Sequence, residues 1–556
     1  MSEQYDAVVV GGGHNGLVCA AYLAKSGLRV RLIEKNPILG GAAITQEFHP
    51  GFRNSVYSYA VSLLNPTVIS ELALINHGLR ILPLGINGWK RFIPLTEATN
   101  FAVPVNPDQA VALFDQHFPG DGAAFMELQR RIRVAADALR SVVLDTPPNL
   151  RGDFRSLMRT VVIGNRLRKL TTQGRIELIK LMTMSVADYL AEHLGGEVIK
   201  GYLGYSATVG NLQSIYSAGS AYVLLHHVFG EVNGLKGQWG QAVGGMGAIT
   251  QAIAASARSH GAELSSGMGV REVIVERSRA KGVVLDDGSV VRSSIVVSSL
   301  NPRLLFSAMI DQSVLPTEFA RRMRHWRCDS GVFRMNVALT ELPQFSSVPQ
   351  EDIYTYRTAS VITTPSLGYL EEAFKDAKCG GIARKPIVEM QIPTIQDSSL
   401  APAGGHVASL FCQFFAYEQA DGRSWDDIEC EVADGIIDYM TNFAPNFRKV
   451  ILGRQLKSPI TIERDLGMVR GDIFHGQLHL DQIFSMRPAP NYADYRAPVS
   501  GLYMCGSGTH PGGGVTGAPG RNAAQEIIRD LRSWWQLTIA SSSQHGQFAR
   551  RALEQS

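Results

Sequence analysis

The sequence predicts an α/β fold in which a parallel sheet with covering helices carries a second, discontinuous domain of mixed α and β structure. Two stretches near opposite ends of the 556-residue chain indicate this. Each runs from a strand through a glycine-rich turn into an apolar helix. The long region between them differs, because it holds both helical and alternating segments.

The first stretch is a βαβ unit with a glycine turn. Residues 7–10 suit a buried parallel strand, and the helix that follows closes at Gly27. Gly11 permits the tight turn, Gly13 lets the backbone approach a ligand, and Gly16 lets the helix pack closely on the strand. The helix N-terminus favours an anion. The residues predicted to bind a dinucleotide pyrophosphate are Gly11, Gly13, His14, Asn15 and Gly16.

The second strand ends at Glu34, where a carboxylate can accept hydrogen bonds from both hydroxyls of an adenosine ribose. A glycine pair, Gly40 and Gly41, follows after a short spacer that begins with Lys35. This arrangement resembles the flavin-binding branch of Rossmann proteins, which includes amine oxidases and carotenoid desaturases. The resemblance implies FAD rather than NAD. That family often has arginine after the glycine pair, whereas this chain has Ala42, so a cationic cover for the pyrophosphate comes from elsewhere or is absent. We expect all five residues to lie in the cofactor site.

Composition excludes several classes of protein. Hydrophobic residues make up 45% and charged residues 19%, as in ordinary globular proteins, and the net charge is only +3. Nucleic acid is therefore not an expected partner. The six cysteines form no C-x-x-C pair and are expected to be reduced, and we predict no metal site. Glycines interrupt the apolar stretch 7–24 and no basic region precedes it, so we predict a cytoplasmic protein without a signal peptide or transmembrane helix.

The region after residue 52 contains longer mixed segments. The spacing of Ile179, Met182, Val186 and Leu190 predicts one amphipathic helix. Cationic and apolar residues alternate between Arg151 and Lys180. This pattern is typical either of a solvated helical face or of a surface for weak peripheral membrane contact.

Further along, residues 240–247 form a glycine cluster that opens a helix ending near residue 260, but they are not a second G-x-G-x-x-G motif. Strands are predicted at 270–276, 282–286 and 294–298. Alternation at 333–339 and 388–392, and an apolar run at 406–415, predict a second sheet. Its apolar face is either core or the wall of a substrate tunnel.

The second informative stretch is residues 501–524. The tract from Gly506 to Val515 closely resembles the C-terminal signature of phytoene-desaturase-type and retinol-saturase-like proteins. The two segments before it, Asp472 to Gly476 and Leu480 to Pro488, resemble the branch named for pyridine nucleotide-disulphide oxidoreductase domain-containing protein 2. The resemblance implies that the loop and the helix after it face the flavin, where the helix dipole stabilises negative charge on the reduced ring. It assigns the following residues to the cofactor site: Val270, through its backbone to adenine, and Gly506, Ser507, Gly514 and Val515.

Two histidines near this loop are candidates for the chemistry. His510 is our candidate catalytic residue, as the group that takes a proton or orients the loop, and His475 is a second candidate. For either histidine, a structural role that holds the loop is the alternative.

The resemblance implies a domain organisation and a reaction. Residues 1–85, 235–305 and 465–540 are predicted to form a glutathione-reductase-like FAD-binding domain, 86–234 and 306–464 an α+β substrate domain, and 541–556 a tail. The implied reaction is hydride transfer from a carbon–carbon bond of an apolar or conjugated substrate to flavin N5. Because a second nucleotide fingerprint and a redox cysteine pair are missing, oxygen or a quinone is the expected electron acceptor. The alternatives are an amine oxidase that uses oxygen and a non-catalytic flavoprotein that acts through a binding partner. The sequence leaves open the substrate, the direction of reaction and the oligomeric state.

Overall fold

The computed structural model describes residues 4–85, 88–348 and 360–542, with side chains described up to residue 533. Most of the predicted tail, from residue 543 onward, lies outside the described residues. None of the helices in the described ranges is both long and apolar enough to cross a bilayer. The six cysteines are free thiols.

The strands of the described chain are β1 (Gln4–Val10), β2 (Val30–Glu34), β3 (Thr45–His49), β4 (Phe52–Ser55), β5 (Ile81–Pro83), β6 (Trp89–Pro94), β7 (Asn100–Pro104), β8 (Glu231–Val232), β9 (Leu235–Lys236), β10 (Gly240–Ala242), β11 (Glu263–Ser266), β12 (Val270–Glu276), β13 (Arg279–Leu285), β14 (Val290–Ser298), β15 (Val332–Leu339), β16 (Ser360–Ile362), β17 (Ile382–Gln391), β18 (His406–Phe415), β19 (Ile451–Lys457) and β20 (Leu502–Met504).

The α-helices are α1 (His14–Lys25), α2 (Pro66–Glu71), α3 (Pro107–His117), α4 (Asp121–Val142), α5 (Phe154–Arg168), α6 (Thr172–Thr183), α7 (Val186–Ala191), α8 (Glu197–Thr208), α9 (Ala221–Val228), α10 (Gly247–Ser259), α11 (Pro302–Ala308), α12 (Thr317–Arg324), α13 (Leu367–Gly380), α14 (Trp425–Thr441), α15 (Pro459–Leu466) and α16 (Ala518–Ser542).

The first large sheet has the order β11-β2-β1-β14, and β14 pairs beyond this with both β20 and the antiparallel meander β13-β12. The strands β11, β2, β1, β14 and β20 are parallel. Helices α1, α10 and α16 pack together over one face through a core rich in alanine. Since parallel strands end at the same edge, the glycine turn after β1, Glu34 and the loop after β20 meet there.

The second large sheet has the order β19-β15-β18-β17-β16-β6-β7 and is antiparallel except between β16 and β6. The alternating residues Phe333, Met335 and Val337 pack in a core with Trp425 and Ile428 of α14. This apolar face is therefore core, and the tunnel alternative for that face is wrong. The opposite face of the sheet lines a cavity.

The predicted fold class is confirmed: a Rossmann-type parallel sheet is joined to a mixed sheet with its own helices. All strands of the first sheet fall within 1–85, 235–305 and 465–540, and all strands of the second within 86–234 and 306–464. The domain boundaries themselves stay a prediction.

The prediction of one helix spanning Ile179 to Leu190 is wrong. Helix α6 ends at Thr183, Met184 is extended, and α7 begins after Ser185. Ser185 is the N-cap of α7, because its hydroxyl accepts a hydrogen bond from the Asp188 backbone N–H at 3.0 Å and donates to the Asp188 carboxylate at 2.6 Å. The hydrophobic spacing continued across the break, but the capping chemistry of serine divided the segment.

Candidate functional site

A cavity with an empty volume of about 1400 Å³, part of it open to solvent, lies where the two large sheets meet. Its wall has two chemically different parts. The first, which we call the glycine lining, consists of Gly11, Gly13, His14, Asn15, Glu34, Asn36, Gly41, Ala42, Ser507, Gly514 and Val515. The second, which we call the apolar lining, includes Leu63, Val209, Trp239, Val332, Phe411, Leu466, Met468 and Phe474, together with Tyr59, Arg334 and His475.

The glycine turn leaves room on one side only. A methyl group built on Gly13 would have no protein atom within 4 Å, whereas one on Gly16 would lie 2.1 Å from the Gly11 carbonyl oxygen. Gly13 is the N-cap of α1 and makes no side-chain cap. Because the first N–H groups of a helix have no intrahelical partner, this helix end presents free donors beside the cavity. The geometry fits a phosphate group.

The Glu34 side chain lies beneath the turn and is 6% exposed. Its carboxylate accepts hydrogen bonds from the backbone N–H of Gly12 at 2.6 Å and of Asn36 at 2.8 Å, one on each oxygen. A carboxylate has about four acceptor positions, so each oxygen can accept one more bond. The residue fits the predicted ribose contact. Lys35, by contrast, is exposed, and its ammonium lies 3.4 Å from the Arg464 carbonyl oxygen.

The two ends of the chain meet at the cavity. The Asn15 side-chain amide donates to the Ser507 hydroxyl at 3.2 Å, while the Asn15 Oδ1 atom is buried and has no partner among the described residues. Ser299, at the end of β14, donates to the Gly11 carbonyl at 2.9 Å. Gly506 packs on Ser299, since a methyl group on Gly506 would lie 2.3 Å from the Ser299 carbonyl oxygen. The parallel sheet thus brings residues far apart in sequence to one wall.

A buried arginine holds the loop that carries His475 against the C-terminal glycine loop. Arg487 is fully buried, and its guanidinium donates to the carbonyls of Phe474 at 2.7 Å, Gly476 at 3.1 Å and Ser507 at 2.8 Å. Burial raises the pKa of Asp472 to about 6, although hydrogen bonds from the backbone of Gly476, Phe474 and Asp329 oppose that rise. This role of Arg487 was not predicted, because an arginine before a proline has no spacing that indicates its partners.

Three histidines, His14, His227 and His475, line the cavity, and burial lowers the pKa of each, so that each is neutral at pH 7. Burial lowers the pKa of His14 to about 4 against an opposing hydrogen bond that the ring donates to the Gly514 backbone, and burial with the charges of His14 and Arg487 lowers the pKa of His475 to about 4. His14 Nε2 and His475 Nδ1 are buried and have no partner among the described residues. Both can therefore bind a ligand or move a proton.

His510 is placed differently. It does not belong to the cavity wall; its Nε2 lies 3.3 Å from the Val142 carbonyl, and its ring packs edge-on against Phe484 with centroids 5.4 Å apart. Its own carbonyl accepts a hydrogen bond from the Tyr495 hydroxyl at 2.9 Å. These contacts favour the structural alternative, in which His510 anchors the loop to the end of α4.

The apolar lining contains a polar cluster that sequence reasoning missed. Tyr59 lies over Arg334, with the guanidinium carbon 4.7 Å from the ring centroid, and its hydroxyl donates to the buried Glu389 carboxylate. Tyr205 donates to the same carboxylate at 2.6 Å. A signal existed, because Arg334 and Glu389 are charged residues that each lie between two apolar neighbours within a strand.

The structure brings most of the predicted cofactor residues to one cavity. The residues in its wall are Gly11, Gly13, His14, Asn15, Glu34, Gly41, Ala42, Ser507, Gly514 and Val515. The predicted residues outside the wall are Gly16, Lys35, Gly40, Val270 and Gly506. Gly16, Gly40 and Gly506 have a packing role, since a methyl group on each would lie within 3 Å of a neighbouring atom. Val270 pairs with Leu285 in the meander. The roles of all these residues stay predictions.

Comparisons with known proteins agree with this architecture. Residues 9–73 match the family model described as "NAD(P)-binding Rossmann-like domain". A rat protein, "Pyridine nucleotide-disulfide oxidoreductase domain-containing protein 2" of Rattus norvegicus, is 36% identical over 96% of this chain and 95% of its own length. The chain belongs to that protein's family.

Less similar proteins also match over most of the chain. "Phytoene desaturase (neurosporene-forming)" of Cereibacter sphaeroides is 23% identical over 93% of both chains. The solved structure of putrescine oxidase bound to putrescine superposes with a TM-score of 0.61, at 15% identity, over 96% of this chain and 100% of that one, and this likeness concerns the fold alone. Family membership confirms the predicted resemblance and makes the chain an oxidoreductase of the FAD-dependent, desaturase-like class.

Proposed function

We propose that the chain binds FAD in this cavity and dehydrogenates a carbon–carbon bond of an apolar or conjugated small molecule. The observation that carries the proposal is that one cavity joins a phosphate-fitting glycine lining to an apolar lining. When bound, FAD supplies the acceptor that takes a hydride from a substrate carbon. A desaturase among the relatives supports the same class of reaction.

Residues at different positions along the cavity would have different roles. Glu34 would accept the ribose hydroxyls, and the turn at Gly13 with the N-terminus of α1 would face the pyrophosphate. Ser507 and Gly514 would flank the ring-binding part, where Asn15 holds Ser507 in place. Phe411, among other apolar side chains, would exclude water from the reacting carbon. His14 and His475 are neutral and have an unpartnered ring nitrogen, so each can accept the proton that accompanies dehydrogenation.

An amine oxidase is the second candidate, and the likeness of fold to putrescine oxidase favours it. Charge opposes it. The apolar lining carries the buried cation Arg334, and two unit charges 5 Å apart repel by about 3 kcal/mol at an effective dielectric constant of 20. A protonated amine is therefore disfavoured in the part of the cavity next to Arg334. The third candidate, a non-catalytic flavoprotein, predicts that no substrate class reduces the flavin.

The test is anaerobic flavin reduction by purified protein, followed in a stopped-flow spectrophotometer. We expect FAD to co-purify and to be reduced by apolar molecules with a saturated bond next to a conjugated system, but not by amines. Deuterium on the cleaved carbon should slow the reduction. Reoxidation by oxygen or by a soluble quinone, compared in the same instrument, identifies the acceptor. Reduction by amines alone contradicts the proposal, and reduction by no substrate favours the non-catalytic alternative.

His510→Ala is the matched variant for this assay. A proton acceptor contributes about 10²–10⁴-fold to the rate. Because the His510 ring contacts the end of α4 and not the cavity, we expect flavin reduction within about tenfold of the parent rate, with a lower unfolding temperature. Slowing beyond about 100-fold, with FAD still bound, would instead establish the predicted catalytic role.

We also propose weak peripheral membrane contact through α5 and α6. The apolar residues Phe154, Leu157, Met158, Val161 and Val162 are all exposed on α5. They follow the i, i+3, i+4, i+7, i+8 spacing of one helical face, so the apolar stripe of this helix points away from the protein.

The opposite face of α5 holds the helix in place. The buried Ile163 lies on it, and the Arg159 guanidinium donates to the fully buried Glu526 carboxylate at 2.8 Å. Residues 150–175 contain seven cations and one acid. A second copy of the chain docked face to face would bring these cations together, whereas an anionic lipid surface complements them.

The membrane proposal is tested by co-sedimentation with vesicles of phosphatidylcholine and phosphatidylserine. We expect binding at low salt that weakens as ionic strength rises. Replacing Leu157 and Val161 together by serine should weaken vesicle binding by at least about tenfold, because each substitution removes apolar surface that the lipid would bury. The control replaces Leu235 and Leu452, which are exposed elsewhere, and should bind like the parent. Equal binding by both double variants, or none by the parent, contradicts the proposal.

A further inference from the structure

The polar cluster in the apolar lining contains a charge without a close counter-ion. Arg334 of β15, Phe411 of β18 and Glu389 of β17 are register partners in one row across the sheet. Two strand spacings of about 4.8 Å separate the arginine from the glutamate. Tyr59 covers the row, since its ring lies 5.3 Å from that of Phe411.

Glu389 is satisfied by other groups. Its carboxylate accepts hydrogen bonds from the hydroxyls of Tyr59, Tyr205 and Ser360, and the nearby charge of Arg91 helps to lower its pKa against the effect of burial. The glutamate therefore does not depend on Arg334.

Arg334 is only 1% exposed, and in the described part of the chain no carboxylate lies within salt-bridge distance of it. Its terminal nitrogens donate to the Leu410 carbonyl at 2.8 Å and to the Ser409 hydroxyl at 3.0 Å, but its Nε–H has no partner among the described residues. Burial lowers the pKa of this guanidinium to about 10, so it stays charged at pH 7. Buried cations of this kind are normally paired.

Among the described residues of the cavity wall, no acid other than Glu34 is present. Glu34 is the acid in the wall as described, and its carboxylate belongs to the glycine lining, where it holds the backbone of Gly12 and Asn36. Around Arg334 the wall consists of Val332, Phe411 and other apolar groups. A carboxylate on a ligand would supply both an acceptor for the Arg334 Nε–H and a negative charge beside the guanidinium.

We infer that the substrate of this enzyme is an apolar chain or polyene that bears a carboxylate, and that the Arg334 guanidinium binds this carboxylate within the cavity. The inference rests on the proposed function and names its substrate class. One free donor on an apolar wall matches a carboxylate oxygen, whereas a phosphate group requires several donors. Arg334 acts here as a substrate-binding residue.

The test uses cis-parinaric acid, a conjugated carboxylic acid whose fluorescence increases in an apolar site, and its methyl ester, with the FAD-loaded protein. Because a charge-assisted hydrogen bond is lost, we expect the ester to bind about 10- to 100-fold more weakly than the acid. Arg334→Gln should abolish this preference, and Arg334→Lys should retain part of it. Arg384→Gln, at an exposed arginine on the protein surface, is the control and should bind both probes like the parent.

Equal binding of acid and ester by the parent protein would overturn the inference without the need for any variant. So would an Arg334→Gln protein that keeps FAD and still prefers the acid. This assay measures binding and not turnover. Acid preference without flavin reduction by any substrate therefore contradicts the proposed reaction alone, and reduction by uncharged polyenes with no acid preference contradicts only this inference.

Discussion

Gly13→Ala is expected to fold like the parent protein but to bind FAD about 10- to 100-fold more weakly. The reason is that an added methyl group would overpack the site where FAD binds. The backbone of Gly13 has φ −67° and ψ 168°, which alanine adopts without strain. The added methyl group meets no protein atom within 4 Å, so it projects into the cavity. It would occupy the space through which the backbone approaches the pyrophosphate.

Gly16→Ala is the matched control, three residues along the same turn. Its methyl group would lie 2.1 Å from the Gly11 carbonyl oxygen, so the turn and α1 must move apart. We expect this variant to lose about 1–3 kcal/mol of unfolding free energy in addition to FAD. Thermal unfolding of the cofactor-free proteins and titration with FAD separate the two effects. A Gly13→Ala protein that binds FAD like the parent would show that the pyrophosphate lies elsewhere.

The glycine pattern was predictable because backbone sterics dictate it. Gly11 has φ +94°, a region that other residues rarely adopt, and Gly16 lies against backbone. The parallel sheet then follows from chain order, since strands of this kind end at one edge. For this reason the meeting of Glu34 with Ser507 and Gly514 at one wall could be anticipated from sequence.

The substrate side could not be anticipated in the same way. Alternation in β15 predicted an apolar face containing Phe333 and Met335 but left open whether that face is core or the wall of a tunnel, and the structure shows that it is core. The cavity lies on the other face, to which Arg334 belongs. The position of Arg334 relative to Tyr59 and Glu389 depends on tertiary packing. The periodicity of a single segment carries no information about that packing. For His510, likewise, proximity in sequence to a loop does not fix which way the ring points, so its catalytic role stays a prediction.

Arg487→Met is expected to destabilise the protein by about 3–5 kcal/mol, the usual cost of breaking a buried charged network by removing one partner. The side chain is fully buried, and methionine preserves much of its volume but none of its donors. The carbonyls of Phe474, Gly476 and Ser507 would then lose their charged donor in a site that water does not reach.

Arg322→Met provides the control, because both arginines lie over the Trp326 ring, at 5.8 Å for Arg322 and 5.4 Å for Arg487. Arg322 is partly exposed and pairs with Asp481 at 3.3 Å, so its loss should cost about 1 kcal/mol or less. Urea unfolding of the parent and the two variants compares these costs. Since Arg487 ties the His475 loop to Ser507, the variant should also bind FAD more weakly even where it is folded. Equal stability of the two variants, with FAD affinity unchanged, would mean that the loops hold their positions without the buried charge.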